Sequence, residues 1–347
     1  MCKLTHIKIK GSGNILKTLS LFSGIGAFEK ALTNIGVEHE IVNYCEIDKY
    51  ASCAYSTIHN IDESYNLKDV TKINIDQLKD FDLLTHGSPC QDFSLSGKGK
   101  GGDEGTNTRS SLMWNSVEII KNKNPKYVVW ENVKGVLCRN HKHNFEKYLN
   151  VLDELGYNNY YKVLNSKDFG APQARERIFV VSIRKDITKE FKFKQRVLEG
   201  TTIRDIAESN VDKKYYLNGP YIRNLIKEFE GRLNNRGVSK LGLLKAGDIN
   251  NPKSFKMNNR VFSKDGVSPT LTTTNPVKIV ECRVRKLTPL ECWRVTGFED
   301  EDYWNVRKAL EQRFYKGKDR TDSQMYKMAG NSIVVNVLEE IFRNLLR

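Results

Sequence analysis

Hydrophobic and polar positions along the chain fall into short repeating blocks. The apolar run Ile15-Leu16-Lys17-Thr18-Leu19-Ser20-Leu21-Phe22 predicts a strand, and Ser23-Gly24-Ile25-Gly26 predicts a tight turn after it. Phe28, Ala31, Leu32 and Ile35 then recur at i, i+3, i+4, i+7, the spacing of one helix face, and Gly36 supplies a stop. Strand, glycine turn and helix are the opening of a doubly wound sheet. The same rhythm continues through a strand at Glu40–Tyr44, an apolar run at Phe81–Thr85 broken by Gly87 and Pro89, and a helix over Ser111–Lys121. A strand at Tyr127–Val133, a helix over Asn144–Leu155 and strands at Tyr160–Leu164 and Arg177–Ile183 complete it. This alternation predicts an α/β fold with a mostly parallel sheet covered on both faces. From about Lys189 the pattern dissolves into short basic, Asn-rich and Gly-rich pieces. Regularity returns at Leu287-Thr288-Pro289-Leu290-Glu291, a helix start, and at Ile333–Leu346, a helix with Ile333, Val337, Leu338 and Ile341 on one face. No internal repeat is present.

Composition narrows the class. A chain of 347 residues with 39% hydrophobic content has room for two domains and a real core. No apolar run approaches the roughly 20 residues of a membrane helix. The basic segment Met1–Leu16 lacks the apolar stretch and cleavage site of a signal peptide, so a cytoplasmic protein is expected. Cys2, Cys45, Cys53, Cys90, Cys138, Cys282 and Cys292 are odd in number and form no Cys-x-x-Cys pair. That argues against a disulfide framework or zinc site and for a reducing compartment. His141 and His143 have no ligand cluster nearby in sequence and read as solvated, so no metal is expected. The formal net charge is +14, and residues 189–260 carry sixteen Lys and Arg against eight Asp and Glu. An excess concentrated in one irregular segment points to a polyanionic partner.

Chemistry concentrates at three places. Cys90 is delivered at the end of a predicted strand, in Gly87-Ser88-Pro89-Cys90-Gln91-Asp92-Phe93-Ser94, before a small-residue loop running to Gly102. A thiolate is the strongest nucleophile a side chain offers near neutral pH, although a lone cysteine is more often a small buried hydrophobe. The loop at Gly24 and Gly26 lacks the third glycine of the dinucleotide fingerprint, and Phe22 stands ahead of it, where an aromatic can stack on a base. Glu46 ends the second strand twenty residues after Gly26, where nucleotide-binding folds place an acid for ribose hydroxyls. Such a loop suits an adenosyl ligand without a pyrophosphate.

Taken in order, these residues resemble the DNA (cytosine-5)-methyltransferases of bacteria and phages, over nearly the whole chain. Leu21-Phe22-Ser23-Gly24-Ile25-Gly26 resembles the first cofactor motif, Glu46 the ribose-binding acid, and Asp69-Val70 the pair at the adenine edge. Pro89-Cys90-Gln91 resembles the nucleophile motif, Glu131-Asn132-Val133 the second catalytic motif, and Gln173-Ala174-Arg175-Glu176-Arg177 the third. Arg285-Lys286-Leu287-Thr288-Pro289-Leu290-Glu291-Cys292-Trp293-Arg294 with Gly297-Phe298, and finally Gly330-Asn331-Ser332, match the last two. Ser20 stands where many members carry Asp, and Ile47 where some carry an aromatic.

The resemblance implies a Rossmann-like S-adenosylmethionine-dependent methyltransferase fold with a smaller, irregular target-recognition domain. Residues 1–188 and 325–347 would form the catalytic and cofactor domain, 189–278 the recognition domain and 279–324 a connecting region. It also implies methylation of carbon 5 of a flipped-out cytosine in double-stranded DNA. Cys90 would add to carbon 6, Glu131 would share a proton with ring nitrogen 3, and Arg177 and Arg175 would hold the base oxygen and brace Glu131. Phe22, Ser23, Gly24, Gly26, Glu46, Asp69, Val70, Pro89, Leu112, Asn331 and Ser332 would hold S-adenosylmethionine, leaving S-adenosylhomocysteine as product. Gln91, Ser94 and Ser96 would lie near the vacated base, with Arg232, Arg236, Lys240, Arg260 and Thr270 as DNA contacts in the recognition region. A monomer is implied, in a restriction-modification setting in which a cognate endonuclease would be a partner outside any stable complex. Two alternatives stand beside this. Transfer-RNA methylation is the work of a branch with a Cys-Phe-Thr signature that is absent here, and a non-catalytic DNA-binding relative would usually have lost Cys90, Glu131 or an arginine.

Overall fold

The computed structural model describes residues 15–89, 110–194, 200–219, 222–223, 225, 243–249, 259–280 and 283–346. These form two compact units: residues 1–164, 176–194 and 337–347 in the first, and 165–175 and 195–336 in the second.

The first unit is built on strands β1 (Leu16–Leu21), β2 (His39–Cys45), β3 (Leu83–His86), β4 (Tyr127–Val133), β5 (Tyr157–Asn165) and β7 (Glu176–Arg184), with β6 (Gln173–Ala174) belonging to the second unit. Among the described residues the sheet has the order β2-β1-β3-β4-β7-β5. β1 runs parallel to β2 and β3, and β3 parallel to β4, as the alternation predicts, while β7 is antiparallel to β4. Helices α1 (Ala27–Asn34), α2 (Lys49–His59), α3 (Met113–Lys123) and α4 (Lys142–Glu154) connect the strands. The middle of β4 and of β7 is buried on both faces, which is why these strands read as continuous apolar runs rather than alternating ones. On one face Leu21, Leu84, Val128 and Trp130 pack with Met113, Ile120, Phe145 and Tyr148 of α3 and α4. On the other, Phe28 of α1 meets Phe342 of the C-terminal helix edge-on, ring centroids 6.4 Å apart.

His86 closes this core polar-side in. It is fully buried, lies parallel to Trp130 at 5.8 Å and shares a 3.0 Å hydrogen bond with the Tyr148 hydroxyl. Burial pushes its pKa down to about 3, so it is neutral.

The strand order sets the position of any ligand. The chain leaves β1 to place β2 on one side and returns to place β3 on the other, so the crevice at the carboxyl ends of β1 and β3 is the topological switch point. Gly87 N–H reaches back to the Leu21 carbonyl across it, at 3.4 Å.

In the second unit, short strands β8 (Lys245–Asp248), β9 (Arg260–Ser263), β11 (Lys278–Val280) and β12 (Val284–Lys286) form a sheet in the order β12-β11-β9-β8. β10 (Ser268–Pro269) pairs with β6. The helix predicted from Leu287 spans Pro289–Val295. Thr288 caps it, Pro289 fills its first turn, and Glu291 reaches back to the Thr288 N–H at 2.7 Å in a capping box. The Glu291 carboxylate also takes two bonds from Arg285, at 2.7 and 2.8 Å, and one from Glu208 N–H at 2.9 Å. Both side chains of the ion pair are completely buried. Removing one partner of such a pair leaves an uncompensated buried charge, so Glu291→Ala should cost about 3–5 kcal/mol of stability. Urea unfolding measures this, and a loss under about 1 kcal/mol would contradict it.

One sequence expectation is corrected. His143 is exposed, but His141 is buried, turned inward where its N–H closes a tight turn on the Cys138 carbonyl ahead of α4. Cys45, Cys53, Cys138 and Cys292 take part in no disulfide among the described residues. No helix among the described residues is long and apolar enough to cross a membrane.

Candidate active site

Two groups of side chains gather at the carboxyl edge of the first unit's sheet. One surrounds the turn after β1. Phe22 adopts a left-handed backbone (φ 54°) and rests half-buried on the core, and Gly24 and Gly26 follow at φ 57° and 80°. The turn is tied to the end of β2: Ser23 N–H donates to the Cys45 carbonyl (3.1 Å) and Gly24 N–H to Glu46 Oε2 (2.9 Å). Glu46 Oε1 accepts from Asp48 N–H at 2.8 Å, and burial raises the pKa of this carboxyl. Ile47, next to it, is 77% exposed, an apolar side chain left facing outward.

The two glycines are not equivalent. No described atom lies within 4 Å of where a Cβ would stand on Gly24, whereas a Cβ on Gly26 would lie 1.9 Å from the buried Nε2 of the half-buried His59. Gly24→Ala should therefore carry only the left-handed backbone cost of about 1–2 kcal/mol. Gly26→Ala should exceed it by displacing His59 as well. Denaturant unfolding of the two variants tests the order, and equal losses would contradict it.

Asp69 caps a 3-10 turn, Val70–Lys72. Its carboxylate accepts from the Thr71 hydroxyl (2.7 Å) and N–H (3.1 Å), bonds that hold its pKa below the ordinary range. Val70 is buried in the core, and Leu112 caps α3 half-buried against it.

The second group lies at the ends of β3 and β4. Alternate residues of a strand face opposite ways. Trp130 and Asn132 share one face, and both hold Ser88. Trp130 Nε1 donates to its hydroxyl at 3.0 Å, and Asn132 Nδ2 to its carbonyl at 3.2 Å. Glu131 points the other way and is 8% exposed. In the β4–β7 register Glu131 stands opposite Phe179 and Val133 opposite Arg177, so Arg177 is Glu131's diagonal neighbour on the same face. Its Nε lies 3.1 Å from Glu131 Oε1. Arg177 Nη1 is braced by the Glu176 carbonyl at 2.8 Å. Ser88 and Pro89 are the last described residues before Cys90. Cys90, Gln91, Ser94 and Ser96 lie outside the described residues.

Arg175 belongs to the second unit, where it is buried and donates from Nη1 to the Gly330 carbonyl at 3.2 Å. Thr270 donates its hydroxyl to the Ala174 carbonyl at 3.1 Å. Gly330 packs so closely on Thr272 that a Cβ would meet the Thr272 carbonyl carbon at 2.7 Å. Three motifs far apart in sequence thus converge in that unit. Asn331 ends the helix Asp322–Asn331, exposed, and Ser332 follows it buried. Arg260 is exposed at the start of β9, and Arg232, Arg236 and Lys240 lie outside the described residues. Among the described residues no group of three or more His, Cys, Asp or Glu side chains is arranged to hold a metal.

A family profile described as C-5 cytosine-specific DNA methylase matches residues 16–347. The chain belongs to that family and is a DNA (cytosine-5)-methyltransferase. It is 34% identical to the orphan methyltransferase M.SPRI of Bacillus phage SPR, over 95% of this chain and 97% of that protein. It is 31% identical to the type II methyltransferase M.HhaI of Haemophilus parahaemolyticus, over 95% and 94%. Its fold matches the crystal structure of S. pombe Dnmt2 methyltransferase with a TM-score of 0.66 at 20% identity, covering 95% of this chain and 99% of that one. Entamoeba histolytica methyltransferase EhMeth gives a TM-score of 0.68 at 18% identity, covering 96% and 100%.

Proposed function

We propose that this enzyme methylates carbon 5 of a cytosine flipped out of double-stranded DNA, through a transient bond between Cys90 and carbon 6, with S-adenosylmethionine as donor. The observation that carries the reading is the Glu131–Arg177 pair, 3.1 Å apart, with Glu131 on the strand whose opposite face grips Ser88, two residues before Cys90.

The donor set at the β1 turn suits an adenosyl ligand. An ionised carboxylate has about four lone-pair sites. Glu46 accepts from the Gly24 and Asp48 N–H groups, with a further backbone contact from Ile47, and its remaining capacity would serve the hydroxyls of a ribose. Phe22 and Ile47 offer apolar faces beside it, and Ser23, Gly24 and Gly26 would flank the methionine half. The resemblance assigns Asp69, Val70, Pro89, Leu112, Asn331 and Ser332 to the same cofactor. S-adenosylmethionine, when bound, supplies an electrophilic methyl group.

Carbon 5 of cytosine is a poor nucleophile. Attack of the Cys90 thiolate forms the Sγ–C6 bond and pushes the ring electrons toward nitrogen 3, the base oxygen and carbon 5, which makes the ring enamine-like. Glu131, sharing a proton with nitrogen 3, relieves the charge there, and Arg177 holds both Glu131 and the base oxygen. Carbon 5 takes the methyl group, with S-adenosylhomocysteine as the leaving group, then gives its proton to a base such as water as the Sγ–C6 bond breaks and the thiolate returns. Arg175 is assigned a supporting role. Extruding the base costs a few kcal/mol, which phosphate contacts from the basic segment 189–278 would offset, with Arg232, Arg236, Lys240 and Arg260 as DNA contacts.

Incubation with tritium-labelled S-adenosylmethionine and, in parallel, mixed-sequence duplex DNA or transfer RNA tests the reading. Label is expected at carbon 5 of cytosine within one sequence context. Label in transfer RNA but not in DNA would overturn it.

A further inference from the structure

Asn66 lies on the segment that follows α2 and bridges to the edge of β2 through Tyr44, with Leu67 N–H donating to the Tyr44 carbonyl at 2.7 Å. Every hydrogen-bonding position of its amide is used. Oδ1 accepts from Glu46 N–H (3.0 Å) and Lys68 N–H (2.8 Å), and Nδ2 donates to the Glu46 carbonyl (2.9 Å) and the Ser52 hydroxyl (2.8 Å). One side chain therefore grips both backbone groups of Glu46, much as a neighbouring strand would, just past the last residue of β2. The same amide fixes Lys68, whose left-handed backbone (φ 62°) turns the chain into Asp69 and Val70. The Lys68 carbonyl accepts in turn from Cys45 Sγ at 3.2 Å. The Ser52 hydroxyl is shared with the buried Tyr44 at 3.1 Å, which ties the assembly to α2 and the core.

We propose that Asn66 is a positioning residue for cofactor recognition: it aims the Glu46 carboxylate at the ribose and locks it in register with the turn that carries Asp69 and Val70. The proposal rests on the reading of Glu46 as the ribose acid. A carboxylate whose backbone is held at both N–H and C=O keeps its direction without the ligand's help. Losing that hold misdirects it by the fraction of an ångström that weakens recognition.

The test is calorimetric titration of the full chain with S-adenosylhomocysteine and with its 2′-deoxy analogue, for the wild type, Asn66→Ala, Glu46→Ala and the double variant. Asn66→Ala should bind S-adenosylhomocysteine about 10- to 100-fold more weakly. The deoxy analogue, already missing a hydroxyl, should lose much less, so the preference for the intact ribose shrinks. The double variant should bind no more weakly than Glu46→Ala alone. A merely structural role would weaken both ligands equally and make the two losses additive, and either result overturns the proposal. Asn66→Asp provides a second route if the alanine variant folds poorly. It keeps both accepted bonds and removes both donated ones, and the same shrinkage is expected of it. Unchanged binding by Asn66→Ala beside weakened binding by Glu46→Ala would overturn the positioning role alone. Unchanged binding by Glu46→Ala would overturn the ribose reading itself.

Discussion

Serine in place of Cys90 is expected to abolish methyl transfer, with turnover falling roughly 10⁴- to 10⁶-fold, as when the nucleophile of a covalent catalyst is removed. A thiol near neutral pH is partly ionised and intrinsically nucleophilic, whereas a hydroxyl needs a separate base to activate it. Trp130 and Asn132 hold Ser88, two residues ahead, whether or not sulfur is present at position 90. S-adenosylhomocysteine binding should therefore survive the substitution, and label transfer from S-adenosylmethionine should not. Activity within about tenfold of wild type would remove the thiolate from the mechanism.

Glu131→Gln should lower turnover by about 10²- to 10⁴-fold, the usual range for a positioned proton-transfer group. The amide is close to the carboxylate in shape, so the fold should stand. It cannot share a proton in the same way, and it leaves Arg177, 18% exposed at its side chain, without its charged partner. The loss should lie in kcat, with little change in cofactor binding, because the Gly24 and Glu46 group is built from other strands. A loss confined to the KM for S-adenosylmethionine would assign Glu131 to the cofactor instead. Single-turnover rates at saturating cofactor separate the two outcomes.

Much of the first unit is legible in the sequence because its central strands β3, β4 and β7 are buried on both faces. Val128-Val129-Trp130 has no polar alternation to blur it. Helix α2 escapes such a reading: its buried residues are Ala51, Ser52, Cys53, Ala54 and Tyr55, a consecutive, mostly small run without an i, i+3, i+4 apolar signature. The second unit's sheet is hidden for a different reason. Strands of three or four residues, such as Lys278–Val280, are too short to show a period, and their burial is a product of tertiary pairing. His141 looks polar and solvated until the turn from Cys138 folds it inward.

The site divides along similar lines. Gly24, Gly26 and Glu46 stand out from spacing and strand ends. Glu131 and its bracing by Arg177 follow only from the family resemblance, because their contact depends on the β4–β7 register, which no local pattern specifies. Ser88 and Asn66 act through backbone and amide bonds to neighbours 42 to 44 and 14 to 20 positions away, and a single Ser or Asn carries no signal of that kind.

The most direct test of the covalent pathway is a duplex carrying 5-fluorocytosine at the methylated position, incubated with enzyme and S-adenosylmethionine. Fluorine cannot leave carbon 5 as a proton does, so the bond to Cys90 has no route to break after methylation. The expected result is a denaturation-resistant protein–DNA species that maps to the Cys90 peptide, requires the cofactor and is absent for Cys90→Ser. No such species from enzyme that methylates the matching cytosine duplex, or the same species from Cys90→Ser, would contradict it.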